Sequence, residues 1–156
     1  MGNDDSGGIT VSFFLMPTDV MKGIHDELEE VLGPLIAPSI LYRSGFRSGQ
    51  AVVKKLDISE LDEDTIEVKL PNLWIQIGLG IFELKEITKE HIIVECSESN
   101  EAQALDRKTK PSCHLTRGYL AGILSDARGV THACDETDCI AMGSDHCIFK
   151  LYKEKS

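Results

Sequence analysis

Glu136, Cys139 and Cys147 stand three and then eight positions apart in the stretch ETDCIAMGSDHC, near the end of the sequence. Zinc accepts thiolate and carboxylate donors of this kind, but it takes four in a roughly tetrahedral set and ties together the rigid elements that supply them. A fourth donor is expected from outside the turn. Cys113 opens a helical pattern 23 positions before Glu136, and a helix N-terminus stabilises a thiolate through its dipole and free N–H groups. Three thiolates and a carboxylate leave negative charge around one dication, so a cationic or N–H-rich surround is needed. Arg117, four positions after Cys113 on the same helix face, is placed to supply it.

Each donor also has a plainer use. Cys134 shares strand parity with His132 and Glu136 and suits a small buried position. His132 or His146 could replace Glu136 in the set, and a disulfide between Cys139 and Cys147 could close the turn. The chain has five cysteines, an odd number, and its first residues, MGNDDSGG, lack the basic-then-apolar build of an export signal. Reduced thiols in the cytoplasm are therefore expected, and metal ahead of a disulfide. Four protein ligands would close the site to water, which makes it structural rather than catalytic. THACDETDC lacks the H-x-E and Pro-Cys-x-x-Cys order of the nucleotide deaminases. The sequence carries no nucleotide-binding glycine loop, nucleophile elbow or metalloprotease helix.

The elements that position these donors can be read from periodicity. SCHLTRGYLAGILSDARG is a helix with Ser112 as its cap and Gly129 as its stop, and VTHACDE and HCIFKLYKE pair as a terminal hairpin around the turn. Upstream, IFELKEITKEHIIVECSES alternates as a second hairpin with its turn at Thr88 to Glu90, and EAQALDRKTKP is a short helix followed by a basic loop. ITVSFFLMP reads as a first strand ended by Pro17. A helix capped by Thr18 or Asp19 follows, with Val20, Ile24, Leu28, Val31 and Leu32 as its buried stripe and Gly33-Pro34 as its end. Ser39 caps a second helix to Leu56, in which Gly45 and Gly49 each cost roughly 1 kcal/mol against alanine. Their spacing of four calls for close packing of another backbone or for room beside a ligand. The acidic DISELDEDTIEVKL is helical in part, with Ser59 as cap, while PNLWIQIGLG, which holds the single Trp74, could end a helix or form a buried connection.

Helices and strands are thus segregated along the chain, which predicts an α+β domain with an antiparallel sheet covered by helices and a zinc-braced C-terminal hairpin. A length of 156 residues suits one domain, expected over 9–156 behind a flexible lead of residues 1–8. The formal net charge of -10 disfavours nucleic acid and anionic lipid as partners, and no apolar run approaches the ~20 residues of a membrane span.

The helix that opens at Cys113 and runs GYLAGILSDARG, followed by ETDCIAMGSDHCIFKL with Gly143 and Phe149, closely resembles the 4-vinyl reductase domain family. It is similar too to the sensory domains of phenol- and xylene-responsive bacterial activators, and more distantly to transport-particle vesicle-tethering subunits. The resemblance implies that Cys113, Glu136, Cys139 and Cys147 bind a structural zinc. It further implies helices over an antiparallel sheet, a homodimer, and a sensor or carrier for a small hydrophobic or aromatic molecule. Trp74, Phe46, Tyr42 and Tyr119 are the pocket candidates by chemistry. Two other roles follow from the same likeness: a reductase, or its accessory, acting on a tetrapyrrole vinyl group, and a tethering scaffold.

Overall fold

The computed structural model describes residues 15–56, 58 and 63–155. Most of the expected first strand lies outside these residues, as does Ser59, and Leu15 to Pro17 form no strand. Helix α1 (Thr18–Leu32) begins with the Pro17 carbonyl accepting from Val20 N–H at 3.1 Å, and neither Thr18 nor Asp19 caps it with a side chain. The expected buried stripe is largely solvent-facing: Val20, Ile24, Val31 and Leu32 are exposed, and the one buried residue of α1 is His25. A polar anchor, not the apolar stripe, decides how this helix is rotated.

Helix α2 (Ala37–Leu56) starts two residues before the expected Ser39 cap. The Ile36 carbonyl accepts from Ser39 and Ile40, while Pro38 occupies the first turn, where a missing N–H costs nothing. Helix α3 (Glu63–Gln76) carries Pro71 inside it and Trp74 in its last turn, so the ambiguous run is a helix end. Strands β1 (Gly80–Ile87) and β2 (His91–Ser99) form the expected hairpin, with Thr88 Oγ1 accepting from His91 N–H at 3.0 Å in the turn. Then come α4 (Asn100–Ala104), α5 (His114–Arg128), β3 (His132–Asp138), a short 3-10 turn over Ile140–Met142, and β4 (Cys147–Lys153).

The four strands form one antiparallel sheet in the order β1-β2-β4-β3, so the α+β expectation holds. Helix α3 packs against β1 and α5 against β3 and β4; α2 lies along α5, and α1 rests on α4. The core between helices and sheet holds Trp74, Phe82, Phe149, Leu70, Ile92 and Leu120, with the Trp74 and Phe82 rings 5.2 Å apart. The glycine spacing in α2 is a packing device. A Cβ on Gly45 would stand 2.1 Å from the Leu115 carbonyl oxygen, and one on Gly49 2.4 Å from that of Tyr119. Gly118 and Gly122 on α5 meet the Tyr42 and Phe46 carbonyls in the same way. The two backbones touch, which leaves no room for a ligand between them.

Candidate functional site

The N-terminus of α5 and the tip of the β3–β4 hairpin meet inside the protein. Each supplies donors there because its local geometry turns them inward. Cys113 is the N-cap residue of α5, and Glu136 lies on the inward parity of β3 shared with His132 and Cys134. The chain then folds through the 3-10 turn, closed at Gly143 with φ 97°, a left-handed conformation that glycine adopts without strain. Cys139 and Cys147 are thereby placed on either side of one turn. Donor atoms of Cys113, Glu136, Cys139 and Cys147 all lie within 4.8 Å of one another, and all four residues are buried. Cys113 Sγ is 3.8 Å from Cys139 Sγ and 3.9 Å from Cys147 Sγ. All five cysteines are free thiols, so no disulfide closes the turn.

The electrostatics of this cluster are those of a site built for a cation. Burial pushes the Glu136 carboxyl up to about 8, although its Oε2 accepts from Cys113 N–H at 2.9 Å. Its Oε1 is buried with no hydrogen-bond partner, an acceptor that a metal ion would satisfy. Hydrogen bonds from Cys113 and Cys147 hold the Cys139 thiol far below its ordinary value. The Cys113 thiol is raised well above its own by Cys139, Cys147 and burial. Cys147 is lowered by Cys113, but Cys139 and burial outweigh that and raise it. Only one thiolate is comfortable without added positive charge. A dication would allow all three, and the donor set of three sulfurs and one oxygen suits zinc in type and number.

The cationic neighbour expected at Arg117 serves elsewhere. Its Nη2 donates to His114 Nδ1 at 3.1 Å and its guanidinium lies 5.4 Å from the Tyr42 ring centroid. Backbone N–H groups take its place, Cys113 toward Glu136 and Ile140 toward Cys147 Sγ at 3.3 Å. Neither histidine alternative joins the cluster. His132 Nδ1 donates to the Val130 carbonyl at 2.7 Å, and His146 is exposed beside Glu95. Cys134 is a core residue, as its parity suggested.

Sequence reading missed a second carboxylate. Glu101 of α4, 3% exposed, accepts from Leu115 N–H at 3.0 Å and Thr116 N–H at 2.7 Å, and its Oε1 lies 2.7 Å from His25 Nε2. Two buried carboxylates therefore occupy the free N–H groups of one helix end. Ser99 supports both neighbours: its Oγ accepts from Ala102 N–H at 3.2 Å and sits 3.6 Å from Cys113 Sγ. The available signal was NEA just after a strand, with its acid at a helix start, but nothing local says that this acid caps a different helix. The His25–Glu101 contact is also what turns α1, because a buried imidazole without that partner would be left unsatisfied.

Of the four aromatic candidates, Trp74 is fully buried between α3 and the sheet, and its Nε1 has no acceptor. Tyr42, Phe46 and Tyr119 are half-buried along the α2–α5 pair, with the Tyr42 and Phe46 rings stacked at 6.4 Å. No described helix is long and apolar enough to cross a membrane.

Residues 92–153 match the family model of the 4-vinyl reductase domain, and on these residues the resemblance to that family is borne out. No curated protein sequence matches the chain. Among solved structures, the phenol-responsive sensory domain of the transcription activator PoxR, bound to phenol, superposes with a TM-score of 0.77 at 23% identity. That match covers 90% of this chain and 76% of the other. A vinyl-4-reductase family protein from Methanocaldococcus jannaschii gives 0.57 at 18% identity, over 93% of this chain and all of its own. A trafficking protein particle complex subunit 3 from Naegleria fowleri, covalently bound to palmitic acid, gives 0.64 at 10% identity over 88% and 95% of the two chains. At these identities the likeness is one of fold.

Proposed function

With residues 92–153 matched to the 4-vinyl reductase domain, we propose that this chain is a zinc-stabilised small-molecule-binding domain, a sensor or carrier for a hydrophobic or aromatic ligand. The reading includes a single domain over 9–156, a cytoplasmic location and a homodimer. The observation that carries it is Trp74: a buried indole N–H with no acceptor, against Phe82, in the layer between α3 and the sheet. An aromatic ligand bearing one oxygen would satisfy that donor and fill apolar space beside it. Two neighbours of this fold hold phenol and palmitic acid, molecules of that general kind.

Cys113, Glu136, Cys139 and Cys147 would hold the zinc, which supplies no chemistry beyond charge and cross-linking. They pin the α5 N-terminus to the hairpin, and β4 of that hairpin pairs with β2. The floor of the ligand layer is braced in this way.

Protein purified under reducing conditions should carry close to one zinc per chain. Because Trp74 is the only tryptophan, its fluorescence reports the layer directly. Titration with phenol should change that emission saturably. A metal-free folded protein would refute the zinc, and emission indifferent to phenol and to fatty acid would refute the ligand site.

A further inference from the structure

A second cavity lies away from Trp74, where the first turns of α2 meet α5 and the open edge of β3. It has a volume of about 420 Å³ and is lined by Tyr42, Arg43, Arg117, Cys134, Asp135 and Glu154 among others. Its charges are sorted by element. The helices contribute both guanidiniums, Arg43 from α2 and Arg117 from α5, and the sheet side contributes both carboxylates, Asp135 on β3 and Glu154 just past β4. Among the described residues neither arginine makes a salt bridge, in a chain where acids outnumber bases by ten. Opposite charges that line one space without pairing across it leave both kinds of partner free for a guest.

We propose that this cavity binds a small zwitterion of the α-amino-acid class, its carboxylate toward Arg43 and Arg117 and its ammonium toward Asp135 and Glu154. A guanidinium presents a planar fork that matches a carboxylate in two hydrogen bonds, and Arg117 is preset for it because Tyr42 and His114 hold it in place. Tyr42 adds an aromatic wall for the guest's side chain. Burial raises its phenol to about 12, so its hydroxyl keeps a proton to donate at any physiological pH. The volume suits a molecule of this size with some water around it.

The site is separate from the Trp74 layer, and the two ligands make different demands. One is an oxygen-bearing apolar molecule, the other a dipolar ion. Arg117 also donates to His114, the residue after Cys113, so an occupant of the cavity is two contacts from the metal cluster.

The test is calorimetry on the metal-replete chain with each of the twenty common α-amino acids, then with the carboxamide and the N-acetyl derivative of whichever binds. At least one amino acid should bind with a Kd below about 1 mM, and both derivatives should bind about ten-fold weaker or worse. Arg43→Gln removes an exposed side chain outside the core, so it should melt as the parent does. It should lose about ten-fold in affinity while the phenol response of Trp74 stays unchanged. Asp135→Asn should weaken binding by a smaller factor. The proposal is overturned if no amino acid binds up to about 5 mM. It is equally overturned if either derivative binds as tightly as the parent compound, or if Arg43→Gln binds unchanged.

Discussion

Helices α1 and α5 are the same length, 15 residues, and both carry an apolar stripe, yet they end in opposite circumstances. Helix α5 buries nine residues, among them Leu120, Ile123 and Leu124, and its N-terminus is enclosed by two carboxylates and three thiols. Helix α1 buries His25 alone and leaves Val31 66% exposed. Periodicity thus reports amphipathicity but not its target. A stripe marks a face fit to be covered, and what orients α1 here is a single polar contact whose partner lies 76 positions away.

Removing one cluster ligand tests the α5 side most severely. Cys139→Ser should abolish stoichiometric zinc and cost on the order of 3–5 kcal/mol, because the remaining donors would stay buried without their shared cation. Metal content and melting temperature read this together, and an unchanged melt would sever the cluster from stability. Glu101→Ala comes next. It strips partners from two helix N–H groups and from His25, at a cost of about 2–4 kcal/mol. Hydrogen exchange should then quicken in α1 as well as at the α5 N-terminus; confinement to α5 would refute the coupling of the two helices.

Gly122→Ala places a Cβ 2.1 Å from the Phe46 carbonyl oxygen, and chemical denaturation should show a loss of about 1–3 kcal/mol. On α1, Val31→Lys should change stability by less than about 0.5 kcal/mol in dilute monomer. A larger loss that depends on protein concentration would mean that a second copy covers the stripe.

The smallest effect is a pH dependence. Burial raises Tyr42 to about 12 and also raises Tyr119 and Tyr152. An unfolded tyrosine ionises near 10, so between about pH 10 and 12 the folded phenols hold protons that the unfolded chain has lost. Their contribution is complete below about pH 10 and disappears as pH rises through the folded values. The ultraviolet absorbance of tyrosinate should accordingly appear later in the native chain than in denaturant.

The metal cluster was legible because its chemistry is local to two short stretches. Residue type, turn spacing and strand parity are visible in ETDCIAMGSDHC, and Cys113 announces itself as the start of a helix. The hairpins and α5 were legible for the same reason, since period and punctuation lie within each segment. The buried face of α1, the role of Arg117 and the whole of Glu101 were not. Each is fixed by a partner far away in sequence, and a local pattern contains no record of which distant group will arrive. Gly45 and Gly49 fell between these cases: the spacing announced that something approached closely, while only the fold showed that it was the backbone of α5.

The separation of 76 positions between His25 and Glu101 also sets an order of assembly. Strand β3, the turn and β4 are neighbours in the chain, and α5 directly precedes them, so their contacts close short loops at small entropic cost. Helix α1 must wait until β1, β2 and α4 have formed a place for His25 to land. Contacts that span more chain form later, and the element that depends on one such contact is the natural last arrival. The same helix should be the first to lift away in the native state, leaving the hairpin and its ligand cluster closed beneath it.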